Sequence, residues 1–72
     1  MPSFSDRLKE LRQKNKITQK IVAEAIGMSE RNYQELEYGK IKPLHENLLK
    51  LADYFDVSLD YLVGRSDNSR RF

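Results

Sequence analysis

Five long polar side chains crowd one short stretch of this sequence. Arg31, Gln34, Glu35 and Tyr38, flanked by Glu30, follow one another at steps of one and three residues. On a helix turning 100° per residue they share one face. Guanidinium groups donate, amides donate and accept, and carboxylates accept, which is the chemistry that reads base edges in a duplex groove. An arginine set against guanine O6 and N7 is worth about 1–3 kcal/mol of discrimination. Arg31 has a second use, an i,i+4 ion pair with Glu35 worth about 0.2–0.5 kcal/mol in a free helix. The two uses are compatible, because pairing would pre-set the arginine. Glu30 and Glu35 can accept from cytosine N4 and repel other bases. Glu30 also suits a helix N-terminus for purely structural reasons. Tyr38 points outward, where its hydroxyl could reach a phosphate, although such tyrosines more often serve packing. Lys40 and Lys42, directly behind this helix, are placed to meet the phosphate backbone, although lysines in loops are often merely solvated.

The elements that must position these groups are written around them. The stretch QKIVAEAIGMSERNYQELE, residues 19–37, reads as two short helices joined by a sharp bend. Gly27 supplies the positive φ that closes the first. Ser29 caps the second and belongs to the same DNA-facing set. Val22, Ala23 and Ile26 face inward from the first helix, Tyr33 and Leu36 from the second. Ala23 is small enough for the helices to cross closely. A helix–turn–helix of this kind offers the outer face of its second helix, here residues 30–38, to a DNA major groove. Glu37 turns back toward the body, and Arg12 is its natural partner.

The rest of the chain supplies the support. Ser5 is expected to cap a first helix over residues 6–15, with Leu8 and Leu11 inward and Arg7, Lys9, Lys14 and Lys16 on the other face. Thr18 caps the second. After the basic loop, Leu44, Leu48, Leu51 and Phe55 recur at helical spacing over residues 44–55. Ser58 caps a fifth helix over residues 59–63, and Gly64 ends it. The fold expected is all-α, a five-helix domain over residues 1–64, with a flexible tail over 65–72.

Bulk composition is a weaker guide. Seventy-two residues make one small domain, and the formal net charge is only +2. Distribution says more: residues 1–42 carry a net charge of +3, residues 43–64 a net of −3, so the basic side coincides with the helix–turn–helix. There is no cysteine and one histidine, His45, which argues against a metal site or disulfides. No membrane-length apolar run, no glycine-rich phosphate loop and no catalytic constellation stand out. Neither a cofactor nor a small-molecule ligand nor enzymatic activity is expected, and the expected location is cytoplasmic.

The stretches ITQKIVAEAIGMS, ELEYGKIKP and NLLKLADYFDVSLDYLVG, in this order and at these separations, resemble the Cro/repressor type of helix–turn–helix, the lambda-repressor-like domain. The resemblance covers most of residues 7–64. It implies that Gln19 bonds a DNA phosphate and braces the start of the recognition helix. It implies base contacts from Glu30, Arg31 and Glu35, with Gln34 beside them. Lys40 and Lys42 match a loop that grips the DNA backbone, and Arg12 and Glu37 match an ion pair joining the first helix to the third. Glu30 and Glu35 depart from the Gln or Arg often found there. Leu44 stands where a Ser or Thr cap is common, and His45 in a place usually apolar and buried.

The function expected is that of a sequence-specific DNA-binding transcriptional regulator, of the repressor kind. It would bind double-stranded DNA as a homodimer on a palindrome. Helix 5 and the tail, through Leu59, Leu62, Val63 and Phe72, would form the dimer surface. The alternatives are an antitoxin or restriction–modification controller on the same fold, or a protein-interaction module using exposed Ile21 and Ala25. The chain can also be the N-terminal part of a longer regulator.

Overall fold

The computed structural model describes residues 3–71. Five helices follow one another: α1 (Phe4–Lys14), α2 (Gln19–Ile26), α3 (Glu30–Glu37), α4 (His45–Phe55) and α5 (Leu59–Leu62). No strand occurs among the described residues. α2 packs on α3 and α4, while α1 closes against α3 and α5.

Local signals set the helix ends. Thr18, Ser29 and Ser58 each accept a hydrogen bond from the backbone N–H three residues on, at 3.0–3.1 Å. A cap of this kind contributes about 1 kcal/mol. Gly27 closes α2 at φ 75°. A Cβ added there would meet nothing within 4 Å, so the demand for glycine is one of backbone conformation alone. Gly39, at φ 74°, has a second constraint: its Cβ would lie 3.3 Å from the Ser5 hydroxyl. The end of α3 thereby sits against the start of α1.

One core joins the five helices. Leu8, Leu11, Val22, Ala23, Ile26, Tyr33, Leu36, Leu51, Ala52, Val57 and Leu62 are all buried. Tyr33, whose ring is fully buried, is the largest. It lies on the inner side of α3 and holds that helix by its unexposed face.

Several expectations need correction. Ser3, not Ser5, caps α1, accepting from Asp6 N at 3.2 Å. The helix therefore begins two residues early and brings Phe4 against the core. Arg7 is buried rather than solvated: its guanidinium stacks 3.9 Å from the Tyr61 ring centre and donates to Asp67 at 3.3 Å. Leu44 is not part of the apolar face of α4. It precedes the helix, caps nothing with its side chain and is 64% exposed. His45 is exposed too, because it starts the first turn where that helix faces solvent. Leu62 is fully buried in the core and is unavailable to a second subunit. Leu59 is exposed and Val63 half-buried, while Phe72 lies outside the described residues.

The described residues after Gly64 form no helix, yet they touch the body at several points. Ser58 N donates to Ser69 O at 3.1 Å. Arg71 Nη1 donates to Ala52 O at 2.8 Å, at the end of α4, and Arg71 also pairs with Asp53 and Asp56. These contacts use backbone groups and isolated charges, which leave no periodic trace in a sequence.

Candidate nucleic-acid interface

The site is the outer face of α3 and what surrounds it. Tyr33, Leu36 and Glu37 point inward and are buried. That leaves Glu30, Arg31 and Tyr38 exposed, with Gln34 and Glu35 half-buried between them. Among the described residues no ion pair joins Arg31 to Glu35, so the arginine is unpaired and open to solvent. Ser29 sits at the head of the helix, with its hydroxyl engaged in the cap to Asn32 N. Lys40 and Lys42 are exposed in the loop that follows, and Lys40 N is tied back to Glu35 O at 2.9 Å.

What fixes α3 relative to the rest is a buried polar cluster. Arg12 from α1 donates to both oxygens of Glu37, from Nε to Oε2 and from Nη2 to Oε1 at 3.1 Å. Its Nη1 reaches Ile17 O at 3.1 Å. Gln19, the first residue of α2, donates its amide to Glu37 Oε1 at 3.2 Å, so it braces the end of α3 and not its start as expected. Three helices thus meet on one carboxylate, whose side chain is 1% exposed. A paired guanidinium and carboxylate of this geometry is the strong form of charge-assisted hydrogen bond.

The electrostatics follow from that arrangement. Burial pushes the Glu37 carboxyl up, but the hydrogen bonds to it and the Arg12 charge outweigh burial and hold it below its ordinary value. Hydrogen bonding to Glu37 raises Arg12, against an opposing effect of burial. Burial, then the neighbouring Glu37 carboxylate, pushes the Tyr33 hydroxyl well up. That hydroxyl lies against the carboxylate but finds no partner of good hydrogen-bond geometry. The Arg12 and Gln19 bonds hold Glu37 ionised.

The cluster lies at the wall of an open cleft of about 540 Å³ between α1, the start of α2 and the two ends of α3. Gln19 and Tyr38 line it, with Glu30 at its edge. Gln19, Glu30 and Tyr38 are thus brought together beside Arg12 and Glu37. Nothing in the cleft gathers the three or more His, Cys, Asp or Glu side chains that a metal needs, and no such group occurs among the described residues. Sequence reading did not single out the cleft, because its walls come from three helices with no local motif in common. Lys9 and Lys16, expected on the outer face of the first helix with no part in the site, line the cleft too.

An all-α bundle that presents a short, capped helix outward across a glycine turn defines the helix–turn–helix class. The chain belongs to the helix-turn-helix family, whose match covers residues 8–62. Its likeness to individual proteins is of the same kind. It is 39% identical over 69 residues to the HTH-type transcriptional regulator ImmR of Bacillus subtilis (strain 168), a match covering 96% of this chain and 54% of that protein. The fold superposes on the P22 c2 repressor, solved in complex with a synthetic operator. That match has a TM-score of 0.84 and 29% identity, covering 92% of this chain and all of that one. It also resembles the restriction–modification controller protein C.AhdI from Aeromonas hydrophila, at a TM-score of 0.77 and 30% identity, covering 82% of this chain and 89% of that one. The chain spans 54–60% of the length of the first curated relatives it matches.

Proposed function

We propose that this domain binds duplex DNA sequence-specifically and regulates transcription, acting as a repressor. The observation that carries the proposal is the division of α3 into two faces. One face is sealed into the core and locked by the Arg12–Glu37–Gln19 cluster. The other is a row of polar side chains with an unpaired arginine at its centre. In the major groove, Arg31 would read guanine, while Glu30, Gln34 and Glu35 would accept or donate at neighbouring bases. Phosphates would be held by Gln19, Tyr38, Lys40 and Lys42, with Ser29 at the head of the helix. The likeness to the P22 c2 repressor, solved on operator DNA, supports this reading.

A two-fold dimer on half-sites about one helical turn apart is the geometry that suits such a domain. Leu59 of α5 and Val63 directly after it are the apolar groups left for it. Cytoplasmic location goes with this role; no described helix is long and apolar enough to cross a membrane. A restriction–modification controller is the second reading, favoured by the likeness to C.AhdI. It keeps the same DNA face and differs in the operator.

Selection of bound duplexes from a random pool tests the proposal. Enrichment of one half-site, repeated with two-fold symmetry, is expected. Recovery of unenriched sequences would reject sequence-specific readout.

A further inference from the structure

The cleft beside the recognition helix poses a charge problem. Gln19 and Arg12 both line it, but the Arg12 charge is matched by the Glu37 carboxylate that it grips. One amide bond of Gln19 is spent on the same carboxylate. A neutral cluster attracts a phosphate only weakly. Two further cations line the same cleft, Lys9 from the outer side of α1 and Lys16 from the turn after it. Both are exposed, and among the described residues neither takes part in an ion pair. The opposing charge in the cleft is Glu30.

Lys16 shares a second feature with Asp56, which follows α4: these two are the non-glycine residues at positive φ among the described residues. The lysine sits just past the end of α1 with φ at 58°. Its N–H donates to Gln13 O at 3.0 Å, and that of Ile17 to Arg12 O at 3.4 Å. This is the Schellman pattern, whose left-handed position is usually glycine. A lysine there carries steric strain that glycine would not.

We infer that Lys9 and Lys16 form a second phosphate grip, on the opposite side of the recognition helix from the Lys40–Lys42 loop. The left-handed turn at Lys16 sets this side chain in the lining of the cleft. The inference rests on the DNA-binding reading, which already sets Gln19 and Tyr38 of this cleft on phosphates, and adds to it the two cations that would draw the duplex backbone there. Two such grips straddling α3 would fix its angle in the groove, which contacts on one side alone leave free to swing.

The test uses the whole chain and a random-sequence duplex of about 20 base pairs, with binding followed by fluorescence anisotropy between about 50 and 200 mM salt. Lys9→Gln and Lys16→Gln should each lower the steepness of log K against log salt by about 0.9. Lys50→Gln, an exposed lysine on α4, should leave it unchanged. Lys16→Gly separates charge from fold. It should lower the slope as Lys16→Gln does while raising the melting temperature by a few degrees, part of the gain being offset by glycine's freedom in the unfolded chain. If Lys42→Ala lowers the slope but Lys9→Gln and Lys16→Gln do not, the inference fails and the DNA-binding reading stands. If Lys16→Gln lowers the melting temperature with no change in slope, its charge serves the end of α1 and the inference is likewise overturned. If the unaltered chain shows no affinity for duplex at any salt, both fall together.

Discussion

Removing Arg12 is the sharpest perturbation of the framework that holds α3. In Arg12→Ala, Glu37 loses both guanidinium bonds and keeps only the 3.2 Å bond from Gln19. The carboxylate is left with its side chain 1% exposed. Stranding a buried charge costs about 3–5 kcal/mol, against about 0–1 kcal/mol for an exposed pair. Arg12 itself is 16% exposed along the open cleft, and water admitted by the truncation places the expected loss near the lower limit, about 3 kcal/mol. For a domain of this size that lowers the melting temperature by roughly 12–24 °C. Urea unfolding followed by circular dichroism measures it directly. The pH dependence supplies an internal check. In the unaltered protein Glu37 titrates below its ordinary value of 4.5. Its contribution is therefore complete above that value and is lost as pH falls through the folded-state value. In the variant, burial without Arg12 pushes the carboxyl up, so acid relieves the penalty. The two proteins should draw together in stability as pH falls through the raised carboxyl value of the variant and then through the lowered value of the unaltered protein. Arg12→Met with Glu37→Met, which removes both charges, should cost much less than Arg12→Ala. A loss under 1 kcal/mol that does not vary with pH would refute the claim that this pair is buried and structural.

Other outcomes follow from single positions. Gly27→Ala should cost about 1–2 kcal/mol from backbone strain alone, and Gly39→Ala more, since its Cβ also meets the Ser5 hydroxyl at 3.3 Å; equal losses in thermal melts would contradict the second constraint. Arg31→Ala should flatten the preference at one base position in a selection experiment, whereas Lys42→Ala should weaken all sequences alike. Equal losses on every sequence would remove Arg31 from base readout. Leu62→Ala should destabilise by about 2–5 kcal/mol as a core truncation, while Leu59→Ala should leave stability nearly unchanged; the reverse order in urea titrations would contradict the placement of α5.

The elements that sequence made legible are those with a local cause. Thr18, Ser29 and Ser58 as caps, Gly27 at the bend, and the inward Val22, Ala23, Ile26, Tyr33 and Leu36 all follow from periodicity and turn chemistry. The whole helix order follows with them. What escaped was set by tertiary packing. Periodicity counted Leu44 as core because its spacing to Leu48 is helical, but the chain before α4 turns it outward. It set Arg7 on the face of α1 away from Leu8 and Leu11, whereas the Tyr61 ring and Asp67 supply partners from the other end of the chain that bury it. The Arg12–Glu37 pairing was legible through family resemblance and the direction of Glu37 on its helix. The convergence of Gln19 on the same carboxylate, and the cleft beside it, were not, since they join residues from three helices.

The central claim is that the outward face of α3 enters the major groove. Amide spectra of the isotope-labelled chain, recorded as duplex carrying its selected site is added, test this most directly. The account predicts the largest shifts across residues 29–38, with smaller ones at the 40–42 loop and around Gln19. Shifts gathered instead on the exposed side of α2, at Ile21 and Ala25, would contradict it and point to a protein-contact surface in its place.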